Sequence, residues 1–134
     1  MNRQIKFRGK PIDPYYDIDF VFGFYMEDLK DGEVVPYIFD EQIKAEVLPE
    51  SVGQFSGLKD KNGTEIYEGD VVFIVFGILN TKEYFAVKFE EGSFIFYSDE
   101  QYVNLKFENC KEVEVCGTIH TTPELLTDKP TNNE

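Results

Sequence analysis

Two turns and an uninterrupted apolar run follow one another in GLKDKNGTEIYEGDVVFIVF, residues Gly57–Phe76. Asn62-Gly63 tolerates positive φ at both central positions of a tight turn, so we predict a primed hairpin turn there. A second turn is predicted at Gly69, directly before the run Val71–Phe76. That run does not alternate between apolar and polar residues, which is typical of a strand covered on both faces. We therefore expect this strand to lie in the middle of a β core.

Shorter runs of strand-forming residues occupy most of the remaining chain and are separated by turn signals about every eight to twelve residues. Phe20–Met26 and Val34–Phe39 flank Asp31-Gly32, which predicts a hairpin. Glu41–Leu48 suits a short helix or a strand, and its alternating apolar residues favour the strand. Thr122-Pro123 places a hydroxyl and then a proline where a short C-terminal helical turn can begin. The pattern predicts a mainly β chain, built as a small barrel or sandwich.

Composition supports strands and a soluble, acidic protein. The 134 residues include 13 Phe and 8 Tyr but no Trp, and aromatic residues favour pleated, half-buried surfaces. The net charge is −13, from 26 acidic and 13 basic side chains. A charge of that sign repels polyanions, so non-specific binding to nucleic acid is disfavoured.

The first ten residues depart from this acidic balance. Arg3, Lys6, Arg8 and Lys10 give them a charge of +4, and the rest of the chain carries 9 basic against 26 acidic side chains, or −17. Such a basic arm can contact a phosphate backbone, but pairing with the protein's own acidic surface or with a neighbouring copy is favoured. These four residues are the candidate interaction residues, together with two tyrosines of the irregular stretch that follows, Tyr15 and Tyr16.

The residues most common in catalysis and metal binding are better explained by folding. Asp60, Glu65, Glu68 and Asp70 fall within eleven residues, but they suit turns and do not have the spacing of a calcium loop. His120 is the single histidine and is expected at the surface. The cysteines, Cys110 and Cys116, match no disulfide or metal pattern, and we expect Cys116 to be buried as a small apolar residue. We therefore predict no catalytic residue, cofactor or metal site.

Three segments carry a resemblance to a known family. They are QFSGLKDKNGTEIYEGDVV (residues 54–72), RQIKFR (3–8), and VCGTIH with PELL (115–120 and 123–126). In order and spacing they resemble the central, opening and closing segments of the YopX-like proteins, small proteins encoded largely by phages, prophages and related mobile elements. The Tyr15–Tyr25 stretch departs from that pattern.

The resemblance implies a fold but no activity. Together with the residue pattern, it implies a β-rich N-terminal part over residues 1–50 and a small SH3-like roll over residues 51–126. We expect the polar tail, residues 127–134, to be disordered. The family has no established catalytic residues that can be transferred to this chain.

The expected function is that of a non-enzymatic protein-interaction module with an unknown protein partner, and other copies of the chain are among the candidates. One alternative is association with nucleic acid through the basic arm, and another is an acidic DNA mimic that occupies a host DNA-binding protein. The longest apolar run, Val71–Leu79, is far shorter than the roughly 20 residues of a spanning helix. No signal segment is recognised, so we expect a cytoplasmic protein without membrane contact.

Overall fold

The computed structural model describes residues 4–76, 81–98, 102–103 and 110–127. Contacts divide the chain into two compact units, Met1–Gly57 and Leu58–Glu134. Arg3 and the predicted disordered tail beyond residue 127 lie outside the described residues. The described residues form two antiparallel sheets and one short helix, which confirms the prediction of a mainly β chain with a C-terminal helical turn.

The first unit is built around a long β-hairpin. Its strands are β1 (Phe7–Gly9), β2 (Val21–Lys30), β3 (Glu33–Phe39), β4 (Lys44–Glu46) and β5 (Gly53–Lys59). They lie side by side in the order β4-β3-β2-β1-β5, and β5 runs on into the second unit. A single 3-10 turn, Pro49–Ser51, precedes β5.

The predicted hairpin and its turn are confirmed. Lys30 pairs with Glu33, and the two residues between them, Asp31 and Gly32, have φ values of 53° and 83°. Positive φ at both positions matches the right-handed twist of the flanking strands, which is why this turn type is favoured in two-residue hairpins. The strand predicted within Glu41–Leu48 is also present, shortened to β4.

A small hydrophobic core holds the first unit together. Its buried members are Val21, Ile38, Ala45 and Val47, with five half-buried residues packed against them. Val21, Gly23 and Tyr25 alternate along β2 with Phe22 and Phe24, so the two sets point to opposite faces of the sheet. Val21 is therefore buried, while Phe22 and Phe24 are exposed.

The second unit contains the strand that the apolar run predicts. Its elements are β6 (Glu65–Tyr67), β7 (Asp70–Phe76), β8 (Thr81–Glu90), β9 (Ser93–Tyr97), β10 (Tyr102–Val103), β11 (Cys110–Thr118) and α1 (Glu124–Thr127). β6 lies beside β5, and the other strands form a sheet in the order β10-β9-β8-β7-β11. Four consecutive strands thus form a meander, and the last strand, β11, returns to lie beside β7.

The apolar strand lies inside this sheet, as predicted. β7 is flanked by β8 and β11, and Val71, Val72 and Ile74 are completely buried. Val72 and Ile74 pack with Phe85 and further residues of β6, β8 and β9 in the larger hydrophobic core. On the opposite face of β7, the side chains beyond Val71 are only half-buried. The prediction of burial on both faces is therefore confirmed only at the start of the strand.

The predicted primed turn at Asn62-Gly63 is wrong in its detail. Gly63 donates its N–H to the carbonyl of Asp60 at 3.0 Å, so the central residues are Lys61 and Asn62, one position earlier. Of the Asn-Gly pair only Gly63 has positive φ, at 86°. The Asp60 carboxylate accepts the N–H groups of Asn62 and Thr64, and these bonds favour the shifted turn over the primed one.

The predicted burial of Cys116 is also wrong, because the cysteine is exposed. Val115 pairs with Val72 and Gly117 pairs with Val71, so two steps along β11 match one step along β7. Cys116 is the extra residue of this β-bulge, which changes the alternation of inward and outward side chains that the sequence pattern assumes.

Candidate interaction surface

The predicted basic residues do not form an exposed arm in the part that the structure describes. β1 lies between β2 and β5, and Arg8 within it is only 7% exposed. The Arg8 guanidinium carbon lies 4.2 Å from the centre of the Phe20 ring, and the Lys6 ammonium lies 5.4 Å from the centre of the Phe55 ring. These contacts place both cations over aromatic faces of their own unit. Of the described basic residues in this segment, Lys10 is the exposed one.

The two candidate tyrosines have different surroundings. Tyr15 is 85% exposed, whereas Tyr16 is half-buried and packs against the core of the first unit. Their rings meet edge to face with centres 5.5 Å apart. Asp13 positions them, because its carboxylate accepts the Tyr15 N–H at 2.9 Å and its carbonyl accepts the Tyr16 N–H at 3.0 Å. Tyr15 is therefore accessible to a partner, whereas Tyr16 stabilises the fold of the first unit.

The sequence did not identify one group of phenylalanines, on the hairpin and directly before it, as a candidate surface. Phe22 is 46% exposed and Phe24 is 59% exposed, although both lie on a central strand. Phe24 pairs with Phe39 across the hairpin, with ring centres 5.6 Å apart, and the Phe20 ring lies 6.3 Å from that of Phe22. We call these four residues the aromatic face. Their spacing of two along β2 is a visible signal, but the sequence alone does not show which side of the strand is covered.

A groove runs beside the aromatic face. Its volume is about 200 Å³, and its lining is apolar except for Asp40. Apolar residues from the segment before β2, from β2 and β3 themselves, and from the β3–β4 connection contribute the walls, namely Ile18, Phe20, Phe22, Ile38, Phe39 and Ile43. Binding sites for drug-sized ligands generally occupy about 300–1,000 Å³, so this groove is of the size that takes one side chain.

One acidic residue lines the groove, and others are its neighbours in sequence. The Asp40 carboxylate accepts the N–H groups of Gln42 and Ile43 at 2.7 and 2.8 Å, and these hydrogen bonds hold its pKa below the usual value. Asp40 is therefore ionised at neutral pH. Three further exposed acids adjoin the lining residues in sequence, namely Asp17, Asp19 and Glu41.

Two acids of the central segment, Asp60 and Asp70, bind backbone N–H groups at turns, as predicted. One carboxylate oxygen of Asp60 accepts two N–H groups of its own turn, and the other accepts the Val115 N–H at 2.8 Å. Burial opposes ionisation of Asp60, but the three hydrogen bonds outweigh it and lower the pKa. Asp70 is 1% exposed and accepts the Tyr67 N–H at 2.8 Å, which closes the turn before β7. These carboxylates serve the backbone.

His120 lies in the turn that follows β11. His120 is exposed, as predicted, and its backbone N–H donates to the Thr118 hydroxyl at 3.1 Å. Within residues 4–76, 81–98, 102–103 and 110–127, no three His, Cys, Asp or Glu side chains gather as a metal site would require. In the same ranges no helix has the length and apolar character needed to cross a membrane.

The family model described as YopX protein matches residues 22–127, which is most of the chain. The chain belongs to the YopX protein family. The resemblance predicted from three sequence segments is thereby confirmed. The matched range contains the hairpin from Phe22 onwards and the whole β7–β11 sheet, but it excludes the basic residues of the first ten positions and the tyrosine pair.

Protein EF1440 from Enterococcus faecalis, known from a crystal structure, is similar to this YopX family protein in fold. The two chains are 21% identical with a TM-score of 0.50, and the alignment covers 93% of this chain and 99% of EF1440. At that identity the likeness concerns the fold alone. No curated protein matches this YopX family protein significantly.

Proposed function

We propose that this protein is a non-enzymatic interaction module that binds a protein partner through the aromatic face of its hairpin. The observation that carries the proposal is the exposure of Phe22 and Phe24 beside Phe39. Aromatic side chains are enriched at protein interfaces, and contiguous exposed apolar patches commonly mark interaction sites.

Burial of this face against a partner protein is energetically favourable. A Phe side chain buries about 150–250 Å² when it is enclosed, and burial of apolar surface is favourable by roughly 25 cal/mol per Å². The backbone beneath most of this face is rigid, because Phe22, Phe24 and Phe39 stand on the paired strands β2 and β3. A rigid aromatic patch loses little conformational entropy on binding, which increases the affinity gained from a given contact area.

The nucleic-acid alternative has less support from the contacts of the first unit. Arg8, at the centre of the basic segment, is buried over Phe20, and the acids among and next to the lining residues of the groove repel phosphate. The acidic-mimic alternative rests on the net charge of −13 alone.

A site-specific photo-crosslinking experiment tests the proposal. A benzoyl-phenylalanine replaces Phe24 in the full chain, and the protein is irradiated in its native host cell. Phe89 is the matched control, since it is also a strand phenylalanine at the surface beside a second ring, Phe94. We expect a discrete protein adduct from position 24 and none of that mass from position 89. Identical adducts from both positions, or adducts to nucleic acid alone, would contradict the proposal.

A further inference from the structure

We propose that the groove beside the aromatic face binds a segment of the partner protein that inserts one large apolar side chain and places Lys or Arg on either side of it. This inference rests on the proposed interaction function and specifies the chemistry of the partner. The size, the rigidity and the charge of the groove support it in turn.

The size of the groove selects a side chain as its occupant. An apolar cavity of about 150 Å³ accommodates a benzene molecule, so the volume of about 200 Å³ suits a Leu, Met or Phe side chain. A single anchor that fills a preformed pocket is the usual form of a binding hot spot.

The walls of the groove are fixed before any partner arrives. The Asp40 N–H donates to the carbonyl of Ile43 at 2.9 Å, while the Asp40 carboxylate accepts two N–H groups of the same turn. On the other side, the guanidinium of Arg8 lies against the ring of Phe20. Both walls are thus held by contacts within the unit, and only the apolar surface between them remains to be covered.

The charges around the groove select a cationic partner. Asp40 lines it, and Asp17, Asp19 and Glu41 are exposed next to lining residues. One cation, Arg8, contacts a lining residue, the ring of Phe20, so the acids outnumber it here; Lys44 of β4 lies over the ring of Tyr37 and 3.7 Å from the Asp28 carboxylate. Complementary charge steers a basic segment to this face, and the flanking phenylalanine rings also attract cations.

The same charges disfavour a second copy of the chain as the occupant. Two copies that meet at this face bring together two sets of these acids on chains of charge −13 each. Like charges in juxtaposition weaken association, so a heterologous basic segment is favoured.

Binding of defined peptides to the full chain tests the inference. The probes are three short synthetic peptides in which Lys alternates with Leu, Lys alternates with Ser, and Glu alternates with Leu. Two-dimensional NMR spectra of the labelled protein report both affinity and location through the amides of Phe22, Phe39 and Ile43. We expect the Lys–Leu peptide to shift these amides and to bind about tenfold or more tightly than either other peptide.

Two pairs of variants separate the groove from general attraction to an acidic protein. Ile18→Lys places a cation at the groove, and Leu58→Lys makes the same change at a residue of equal exposure in the second unit, 45% against 48%. Asp40→Asn removes a charge from the lining of the groove but keeps an acceptor for its turn, and Asp31→Asn removes a charge at the hairpin tip. We expect Ile18→Lys to weaken binding of the Lys–Leu peptide about tenfold and Asp40→Asn to weaken it several-fold. The two controls, Leu58→Lys and Asp31→Asn, are expected to change the affinity by less than about twofold.

Each outcome decides between the alternatives. Equal effects of Ile18→Lys and Leu58→Lys, or no shift of the groove amides, overturn the inference. Tighter binding of the Glu–Leu peptide would overturn the inference that the partner is cationic, but it would not contradict the proposed interaction function. Concentration-dependent shifts of the groove amides in the free protein identify a second copy as the occupant. Loss of the proposed function is seen separately, as the absence of a specific crosslink from position 24.

Discussion

The carboxylate of Asp60 accepts the backbone N–H of Val115 at 2.8 Å, across 55 residues of sequence. Its other oxygen closes the turn that follows β5. One buried side chain thereby connects a local turn to the last strand of the sheet. Because hydrogen bonds to a charged acceptor are stronger than neutral ones, we expect this contact to stabilise the second unit more than a neutral hydrogen bond would.

Replacement of Asp60 by Asn tests that connection. Asn retains one acceptor oxygen, so it can serve the turn or Val115 but not both. We expect Asp60→Asn to lower the free energy of unfolding by about 1–3 kcal/mol, measured by urea denaturation. Hydrogen exchange at the Val115 amide is expected to accelerate. The control is Asp17→Asn at an exposed loop position, with an expected change within about 0.5 kcal/mol. Equal losses in the two variants would refute the role given to Asp60.

The pH dependence of stability follows from the same carboxylate. Asp60 has a pKa below its usual value of 3.8, so the folded state binds its proton less tightly than the unfolded state does. The stabilisation is complete above pH 3.8 and is lost as the pH falls through the lowered pKa. Urea denaturation between pH 7 and pH 3 should show a smaller acid loss in Asp60→Asn than in the wild type. Parallel curves for the two proteins would show that Asp60 does not contribute.

Gly23 allows the two strands of the hairpin to approach beside the aromatic face. Its φ is 155°, and a Cβ at this position would collide with the carbonyl oxygen of Phe39. We expect Gly23→Ala to lower the thermal unfolding midpoint and to cost more than about 1 kcal/mol. Gly32→Ala is the control, because Gly32 also has positive φ but has open space around its Cβ position. A cost for Gly23→Ala no greater than that for Gly32→Ala would show that the close approach is unimportant.

Tyr25 is expected to ionise at unusually high pH. Burial raises its pKa to about 12, assisted by a 2.7 Å hydrogen bond to the Glu27 carboxylate and by the charge of that group. The folded state therefore favours the neutral phenol, and the stability from this group is present below pH 10 and lost as the pH rises towards 12. The tyrosinate absorbance of the wild type minus that of Tyr25→Phe measures the transition. Glu27→Gln should lower this pKa, whereas Glu33→Gln on β3 should leave it unchanged, and equal effects would exclude the Glu27 contact as a cause.

Much of the fold was predictable because it depends on neighbouring residues. Asp31-Gly32 specifies a tight turn through its backbone preferences, and the run Val71–Phe76 specifies a buried strand through its continuous hydrophobicity. The candidate surface was not predictable in the same way. Its groove requires Ile18 and Ile43 to come together, and no local pattern relates those two positions.

Cys116 shows why a correct strand does not guarantee correct side-chain positions. β11 lies where the alternating Val113 and Val115 indicate, but a bulge inserts Cys116 and turns it to the surface. A bulge depends on the partner strand as well as on its own residues, and the partner here, at Val71 and Val72, is far away in the sequence.

The sequence by itself determined where the chain turns, which strand is central, and that Asp60 belongs to a turn, since each of these follows from short-range backbone and side-chain chemistry. The tertiary structure alone decided that the same Asp60 holds Val115, that Arg8 is buried, and that Phe22 and Phe24 are exposed beside Phe39. These relations depend on which strands pair and in what register, and pairing is chosen by the packing of the whole unit.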